Sequence, residues 1–306
     1  MDDLKGKVVV VTGATDGIGV PAARRFVELG ASLVLLARDS EKADNLRTRL
    51  VRNQPKASIR VVRVDLASLA SIAAAASVVR AVCPKIDVLV NNAGVMKNRC
   101  ELSADGFEIN VAVNHLAVAA LTLHLLDPIL AAGSQARIVN VNSAGHAAAL
   151  QGGGEVTVRF DTWKSDPDYS FSMAYSRSKL ANLMWTYELA ERLEGTGVTM
   201  NALHPGMVKT RLGRELSSLI TVPFHFLFST TPEKGAEPIV HLAAERDIAR
   251  VTGAYFDRFQ QVRSSARSYD KQTWKLVWDE TAAITGLDYV GMHRSLPGNR
   301  QTMRVP

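Results

Sequence analysis

Cysteine and long apolar runs are scarce in this sequence, and each scarcity excludes a class of protein. Only two cysteines occur among the 306 residues, Cys83 and Cys100, too few for a disulfide framework or a zinc site. We therefore expect no metal centre and a reducing environment. No stretch reaches the roughly 18 apolar residues that a membrane-spanning helix needs. Residues 219–228 come nearest, and Pro223 and His225 interrupt them.

A concentrated basic block is also missing, and this excludes the usual pattern of a nucleic-acid-binding protein. The 36 Lys and Arg against 30 Asp and Glu give a net charge of +6, but the basic residues are spread along the chain. No motif interleaves them with aromatic residues. The opening MDDLKGKVVVVTG lacks the charged-then-apolar pattern of a signal peptide. We expect a cytoplasmic protein without a nucleic-acid partner or a transmembrane segment.

Short apolar runs alternate with longer segments of helical spacing along most of the chain. The runs are apolar throughout rather than at every second position, which is typical of parallel strands buried on both faces. They lie at 8–12, 32–37, 59–64, 87–91, 137–142, 198–203 and 254–256, with helical segments at 21–29, 40–53, 69–82, 107–131 and from 175. The alternation predicts an α/β fold, a doubly wound parallel sheet of about seven strands with helices on both faces.

No flexible linker or internal repeat divides the chain, so we expect a single domain over residues 1–306. Two segments break the alternation of strands and helices. Residues 144–172 contain QGGG and SDPDYS and are predicted to form an enlarged loop. Residues 211–232 contain LITVPFHFLF, which is apolar but interrupted, as a segment that covers a substrate would be.

A glycine-rich turn directly follows the first predicted strand. In VVVVTGATDGIG, Gly13 permits a tight turn, while Gly17 and Gly19 let the backbone approach a pyrophosphate at the positive end of the next helix. A strand-to-helix turn without a ligand is the alternative, and the spacing in this context favours the phosphate site. The spacing resembles that of the short-chain dehydrogenase/reductase family, whose fold is of the Rossmann type. This resemblance adds Thr15, Asp16 and Ile18 to the cofactor contacts.

The end of the second strand bears on the choice between NAD(H) and NADP(H). In LLARDS, Ala37 stands where NAD-preferring relatives carry Asp, and Arg38 follows it. An arginine there can pair with a 2′-phosphate through charge-assisted hydrogen bonds. Asp39 opposes this inference, unless it serves to cap the helix that begins near Ser40. We predict NADP(H).

Further motifs of the family would hold the rest of the dinucleotide. By resemblance, VDL lies at a strand end beside the adenine, and NNAG supports the sheet and flanks the adenosine. HPGMVKT follows the sixth strand and would surround the nicotinamide carboxamide. The residues contributed by these motifs are Asp65, Leu66, Asn91, Ala93, Gly94, Pro205, Gly206, Val208 and Thr210.

Four polar residues match the catalytic tetrad of the family, in the family's order. They are Asn114 in NVAVNHLA, Ser143 at the end of the fifth strand, and Tyr175 and Lys179 in YSRSK. Each alone has an ordinary explanation, such as a strand-end cap or a pair on one helix face. Longer strings, among them YSRSKLAN and SSARSYDKQTWKLVWDETAAITGL, are similar to the branch of retinol dehydrogenases and carbonyl reductases.

The resemblance implies a role for each member of the tetrad. Tyr175 would exchange a proton with the substrate oxygen, and Lys179 would lower its pKa from the ordinary value of about 10. The same ammonium would bind the nicotinamide ribose. Ser143 would hydrogen-bond the substrate oxygen, and Asn114 would position a water between Lys179 and solvent.

These residues predict an NADP(H)-dependent oxidoreductase that interconverts a ketone or aldehyde and an alcohol. The apolar 211–232 segment favours a lipophilic or polycyclic substrate. The alternative is a catalytically silent NADP(H) sensor with the same fold, although such a protein would be expected to lose Tyr175 or Lys179. His115 and His146 adjoin site residues but match no role in the family, and we interpret them as structural. Homo-oligomers are frequent in the family, so a homo-oligomer is compatible with this reading.

Overall fold

The structure is a computed structural model that describes residues 3–149, 154–208 and 230–290. Within these residues, eight strands form one sheet in the order β3-β2-β1-β4-β5-β6-β7-β8. The strands are β1 Val8–Thr12, β2 Ser32–Ala37, β3 Ile59–Arg63, β4 Val88–Asn91, β5 Arg137–Val141, β6 Thr199–His204, β7 Tyr255–Asp257 and β8 Gln260–Val262. All neighbouring strands are parallel except β7 and β8. The predicted doubly wound α/β sheet is confirmed.

Helices cover both faces of the sheet. They are α1 Gly19–Glu28, α2 Ser40–Asn53, α3 Leu69–Val82, α4 Ile109–Val111, α5 Ala117–His124, α6 Leu126–Ala132, α7 Phe171–Arg192, α8 Pro232–Ala244 and α9 Lys271–Thr285. A π-helical turn, Ala112–Leu116, joins α4 to α5. Local capping explains the start of α2: the side chain of Asp39 accepts the Lys42 N–H, which is the capping role that the sequence left open.

Two apolar cores follow from the alternation of side chains along the buried strands. Val9 of β1 packs with Phe26 of α1 on one face of the sheet. Val10, the next residue, belongs to the opposite core, which includes Leu121 of α5 and Trp185 of α7. Because both faces are covered, the strands are apolar at successive positions, and this explains the pattern that predicted them.

The eighth strand was not predicted. Gln260–Val262 is three residues long and exposed throughout, so no burial imposes an apolar pattern on it. It closes a hairpin with β7, in which Phe256 pairs with Gln261. The tight connection contains Arg258, whose φ of 56° is left-handed.

The two unusual segments are described in part. The 144–172 loop contains short 3₁₀ turns at Ala144–His146 and Phe160–Trp163. Helix α7 begins at Phe171, so the last two residues of the predicted loop belong to the helix. Most of the predicted substrate-covering segment, residues 211–229, lies outside the described residues.

In the part of the chain that the structure describes, no single helix is both long and apolar enough to cross a membrane, although the pair Ile109–His124 and Leu126–Ala132, bent by 58°, has the required length and composition.

Candidate active site

A cleft of about 1180 Å³ opens at the carboxyl ends of the parallel strands. It spans the point between β1 and β4 where the strand order reverses, which is where open α/β sheets bind their ligands. Most of the residues predicted from the sequence line it: Gly13, Thr15, Asp16, Gly17, Ile18, Arg38, Asp65, Leu66, Ala93, Gly94, Ser143, Tyr175, Lys179, Pro205, Gly206 and Val208. The cleft therefore brings the predicted phosphate and chemical ends of the site together.

The glycine turn between β1 and α1 is tightly packed. Gly13 has a left-handed φ of 67°, and a Cβ there would lie 2.8 Å from the Ala93 Cα. A Cβ on Gly19 would lie 2.1 Å from the carbonyl oxygen of Gly13. Gly19 does not line the cleft. Because it lacks a side chain, it allows α1 to pack directly against the backbone of Gly13. The bare turn leaves the N-terminus of α1 open to the cleft, as a pyrophosphate requires.

Two cations stand at the end of β2. Arg38 is exposed and lines the cleft, and within the described residues its guanidinium makes no hydrogen bond or ion pair. Lys42, one turn into α2, also lines the cleft, and its Nζ lies 3.1 Å from Oδ2 of Asp39. Asp39 is thus engaged by its own helix, through both the backbone and the side chain of Lys42.

Two asparagines at the end of β4 have different roles. The Asn91 side chain is buried in the sheet, where its amide donates to Asn140 at 2.9 Å and to Thr122 at 3.0 Å. It supports the sheet, as predicted, but it does not line the cleft. Asn92 lines the cleft and donates to the carbonyls of Thr12 and Gly13, both at 3.0 Å. Its Oδ1 is buried without a partner among the described residues.

Ser143 and Tyr175 meet at the chemical end of the cleft. Ser143 follows β5, and its backbone N–H donates to the Asn142 side chain at 2.7 Å. The Ser143 Oγ accepts the Gly145 N–H at 3.1 Å, and the Ser143 side chain is close enough to the Tyr175 hydroxyl to influence its pKa. Tyr175 lies in the first half of α7 and is buried, with 5% of its surface exposed. The strand end and the helix thus place two hydroxyls side by side, as the sequence predicted.

Burial has the largest effect on the pKa of Tyr175. Desolvation raises the pKa of its phenol, and the nearby Ser143 side chain lowers it by less. The lowering that we expected from Lys179 stays a prediction, and the net direction of the pKa is upward. The physical reason is the depth at which α7 holds the ring, which spacing along a helix cannot reveal.

Lys179 lies one turn after Tyr175 on α7. Its Nζ donates to the Val141 carbonyl at 3.0 Å and lies 5.8 Å from the centroid of the Tyr175 ring. Burial lowers its pKa to about 8, because desolvation disfavours the ammonium. A cationic Lys179 is therefore retained near neutral pH, beside the phenol and at the wall of the cleft.

Asn114 stands behind the cleft rather than at its surface. It lies in the π-helical turn, and its Nδ2 donates to the Val95 carbonyl at 2.8 Å and to Ser178 Oγ at 3.0 Å. Its Oδ1 accepts the Val95 N–H at 2.8 Å. A π turn inside a helix is frequent at functional sites. The predicted water between Lys179 and solvent stays a prediction.

Several cleft residues were not predicted from the sequence. Lys42 could have been predicted as a second cation beside the cofactor, since it is four residues after Arg38 at the start of a helix. His204 lines the cleft with Nδ1 buried and unpartnered among the described residues, and burial lowers its pKa. The apolar residues Met96 and Ala149 carried no motif. Thr210 lies outside the described residues. No group of three or more metal-ligating side chains occurs in the described ranges.

The residues present fit a dinucleotide. The turn before α1 has no room for a Cβ at Gly13 or Gly19 and leads into a helix N-terminus. Among the described residues, the guanidinium at the end of β2 and the buried Oδ1 of Asn92 have no partner. Each is a group that a pyrophosphate, a phosphorylated ribose or a polar ring substituent would satisfy.

Comparison with known proteins identifies the family. The family model described as short chain dehydrogenase matches residues 7–154 and 164–219. Human retinol dehydrogenase 13 is 36% identical over 292 residues, which cover 93% of this chain and 86% of the relative. An uncharacterised protein of Mycobacterium paratuberculosis has a similar structure, with a TM-score of 0.76, 27% identity and coverage of 94% of this chain and 97% of the other.

A second solved structure contains a cofactor. A Beutenbergia cavernae protein described as an NAD(P)-dependent gluconate 5-dehydrogenase, with NADP bound at low occupancy, has a TM-score of 0.67 and 29% identity. The alignment covers 83% of this chain and 96% of that one.

The fold and the cleft define an oxidoreductase that uses a nicotinamide dinucleotide to interconvert carbonyl and alcohol groups. The chain belongs to the short-chain dehydrogenase family, and it lies in the branch that contains the retinol dehydrogenases.

Proposed function

We propose that this protein is an NADP(H)-dependent carbonyl reductase or alcohol dehydrogenase in which Tyr175 is the acid and base. The observation that carries the proposal is the meeting of Ser143, Tyr175 and Lys179 at one end of a dinucleotide-sized cleft. A sensor that had lost its chemistry would have no need to keep a buried lysine beside a buried phenol.

When bound, the nicotinamide would supply or accept the hydride, and residues of this chain would bind the substrate oxygen and exchange its proton. Because burial raises its pKa, Tyr175 keeps its proton near neutral pH, the state that carbonyl reduction requires. The Ser143 hydroxyl, which lies beside Tyr175, can donate to the same substrate oxygen and stabilise the charge that develops there. The Lys179 ammonium would stabilise the phenolate that remains on Tyr175 after the proton is given up.

NADP(H) is favoured by the charges at the end of β2. Arg38 is free to pair with a 2′-phosphate, and Lys42 adds a second cation at the cleft wall. The carboxylate of Asp39 accepts hydrogen bonds from the side chain and the backbone N–H of Lys42, so it is already engaged and is a poor acceptor for ribose hydroxyls. Pro205, Gly206 and Val208 would hold the nicotinamide end.

A lipophilic substrate is supported by the apolar part of the cleft lining. The small or apolar residues that line the cleft include Val95, Met96, Ala144, Ala148, Ala149 and Met207. Such a wall binds carbonyl compounds with extended apolar bodies, and retinal is a suitable probe because the relatives act on retinol by name. A cytoplasmic location and a homo-oligomer remain predictions.

The test is NADPH oxidation with all-trans-retinal and a series of straight-chain aldehydes and cyclic ketones. Wild type should turn over at least one of these, while Tyr175→Phe should bind NADPH with unchanged affinity and lose nearly all turnover. Ser143→Ala should lose activity in the same way. Turnover by Tyr175→Phe at the wild-type rate would contradict the acid–base assignment. Tight NADPH binding by wild type without turnover of any substrate would favour the silent sensor.

A further inference from the structure

His146 links the loop that carries Ser143 to a distant part of the chain. It is 3% exposed and ends the 3₁₀ turn that follows Ser143. Its Nδ1 lies 2.7 Å from the Ser143 carbonyl oxygen, and the backbone N–H of Ser265 points at its Nε2 from 3.2 Å. Both nitrogens of one imidazole are therefore used, one toward a catalytic strand end and one toward residue 265.

The partners of His146 determine its tautomer. A carbonyl oxygen can only accept a hydrogen bond, so Nδ1 carries the proton. A backbone N–H can only donate, so Nε2 is unprotonated. The ring is therefore neutral, in agreement with burial, which lowers its pKa. Tyr255 packs edge-on against the ring at 4.8 Å, and His204 is close enough to His146 for the two imidazoles to interact electrostatically.

The contact at Ser265 continues to the helix that carries Tyr175. The neighbouring residue, Ser264, has its Oγ 2.7 Å from the hydroxyl of Tyr187 on α7. The same Oγ lies 2.6 Å from Ser268 Oγ, which fixes the 264–268 turn. Hydrogen bonds thus run from the Ser143 backbone through His146 to Ser265, and from the neighbouring Ser264 to α7, the helix that also carries Tyr175.

We propose that His146 is a positioning residue, a neutral imidazole strut that holds Ser143 at the Tyr175 hydroxyl. This inference rests on the proposed function, because it assigns His146 a part in the reaction through Ser143. The strut touches neither the dinucleotide cleft nor the reacting atoms, since His146 is absent from the cleft wall. It fixes the backbone from which the Ser143 hydroxyl projects, and the rate of a reaction depends steeply on such placement. The earlier interpretation of His146 as merely structural is thereby revised.

A pair of nearly isosteric substitutions separates the two ends of the strut. In His146→Asn, the amide nitrogen takes the place of Nδ1 and keeps the bond to Ser143, while the bond to Ser265 is lost. In His146→Gln, the amide group reaches the place of Nε2 and keeps Ser265, but the Ser143 carbonyl loses the side-chain bond and keeps only the backbone N–H of residue 146, at 3.2 Å. We expect His146→Gln to lower kcat by about tenfold, since the shorter of the two bonds that hold the Ser143 carbonyl is lost, and a buried hydrogen bond is worth on the order of one such factor. His146→Asn should lower kcat by only about threefold, because it loses the hydrogen bond to Ser265 but keeps the one to Ser143.

The far end of the strut can be tested without changing His146. Ser265 has φ −58° and ψ 147°, values that proline adopts, so Ser265→Pro removes the donor N–H with little strain. Ser265→Ala keeps that N–H and is the matched control. Ser265→Pro should match the kcat of His146→Asn, and Ser265→Ala should match wild type.

All variants are assayed with NADPH and all-trans-retinal, beside Ser143→Ala and Tyr175→Phe, with thermal unfolding measured in parallel. The proposal expects kcat to fall while the KM for NADPH is unchanged. It is overturned if His146→Gln keeps the wild-type kcat, if His146→Gln and His146→Asn lose equal activity, or if Ser265→Pro equals Ser265→Ala. Failure of the proposed function is a different result, namely turnover by Tyr175→Phe or Ser143→Ala.

Discussion

The side chain of Asn114 and the backbone of Val95 are joined by two hydrogen bonds, each 2.8 Å long. Asn114 Oδ1 accepts the Val95 N–H, and Asn114 Nδ2 donates to the Val95 carbonyl. The amide therefore pairs with one residue as a neighbouring strand would. Since Val95 follows the Asn91–Gly94 motif and lines the cleft, Asn114 fixes the cleft wall directly beside Lys179.

Gly94→Ala should disturb this arrangement and slow the reaction. A Cβ on Gly94 would lie 3.1 Å from Asn114 Oδ1 and 3.5 Å from Lys179 Nζ. Asn114 has little room to retreat, because Val95 and Ser178 hold its amide. We expect a fall in kcat of at least about tenfold, because the added methyl group displaces Asn114 and the cleft wall that it fixes beside Lys179. NADPH oxidation with all-trans-retinal measures it.

The control for this substitution is Gly154→Ala. The nearest atom to a Cβ at position 154 is the Met173 Cε at 3.4 Å, an ordinary contact with a flexible side chain. This variant should keep the wild-type kcat. Equal activity of Gly94→Ala and Gly154→Ala would show that the wall beside Asn114 tolerates a methyl group.

The parts of the site that could be predicted from sequence are those encoded by local order. A glycine turn after a strand, a serine at a strand end and a Tyr–Lys pair at helical spacing each place their groups through neighbouring backbone alone. The structure brings Ser143, Tyr175 and Lys179 together for that reason.

What could not be predicted depends on contacts between remote segments. His146 acts through Ser265, which is 119 residues away along the chain. The direction of the Tyr175 pKa depends on how deeply the whole fold buries α7. The exposed strand β8 lacks an apolar pattern because nothing covers it.

Lys179→Met should make the protein more stable but inactive. Burial lowers the pKa of Lys179 to about 8 from its ordinary 10.5, so the folded state disfavours the charge that the unfolded state carries. The resulting loss of stability is fully present below pH 8 and disappears as the pH rises through 10.5. At pH 7, Lys179→Met should therefore raise the free energy of unfolding, by on the order of 2 kcal/mol, and should abolish turnover.

Urea unfolding at pH 7 and at pH 9.5 measures the effect on stability. The difference between Lys179→Met and wild type should shrink at the higher pH. Lys275→Met is the control, because Lys275 is exposed and paired with Asp279 on the surface of α9. An exposed ion pair contributes little to the free energy of unfolding, so this variant should change it little. A Lys179→Met protein that is less stable than wild type at pH 7 would show that the buried ammonium is a net stabilising group.

Arg38→Ala should weaken the preference for NADP(H). The free guanidinium at the end of β2 is the strongest candidate for the 2′-phosphate, and a charge-assisted hydrogen bond to a phosphate contributes about 1.5–3 kcal/mol. The KM for NADPH should rise by at least about tenfold, while the KM for NADH should hardly change. Lys42→Ala should have the same effect to a smaller extent, since Asp39 already engages Lys42.

Steady-state kinetics with both dinucleotides checks this assignment. Arg25→Ala is the control, since Arg25 is exposed in the last turn of α1 and pairs with Glu28. A wild-type protein that prefers NADH would refute the NADP(H) proposal before any variant is made.

Trp278→Ala should destabilise the protein by detaching α9 from α7. The Trp278 ring stacks on Trp185 at 5.8 Å and 7°, and the Arg192 guanidinium lies 3.9 Å from its centroid. Its Nε1 donates to Asp288 at 2.9 Å. Removing such a buried ring costs about 3–5 kcal/mol, because it leaves a cavity and exposes its neighbours. The free energy of unfolding in urea measures this, with Leu276→Ala, 56% exposed on the same helix, as a control that should change little. Equal stability of the two variants would mean that α9 is held by other contacts than the Trp185–Trp278 stack.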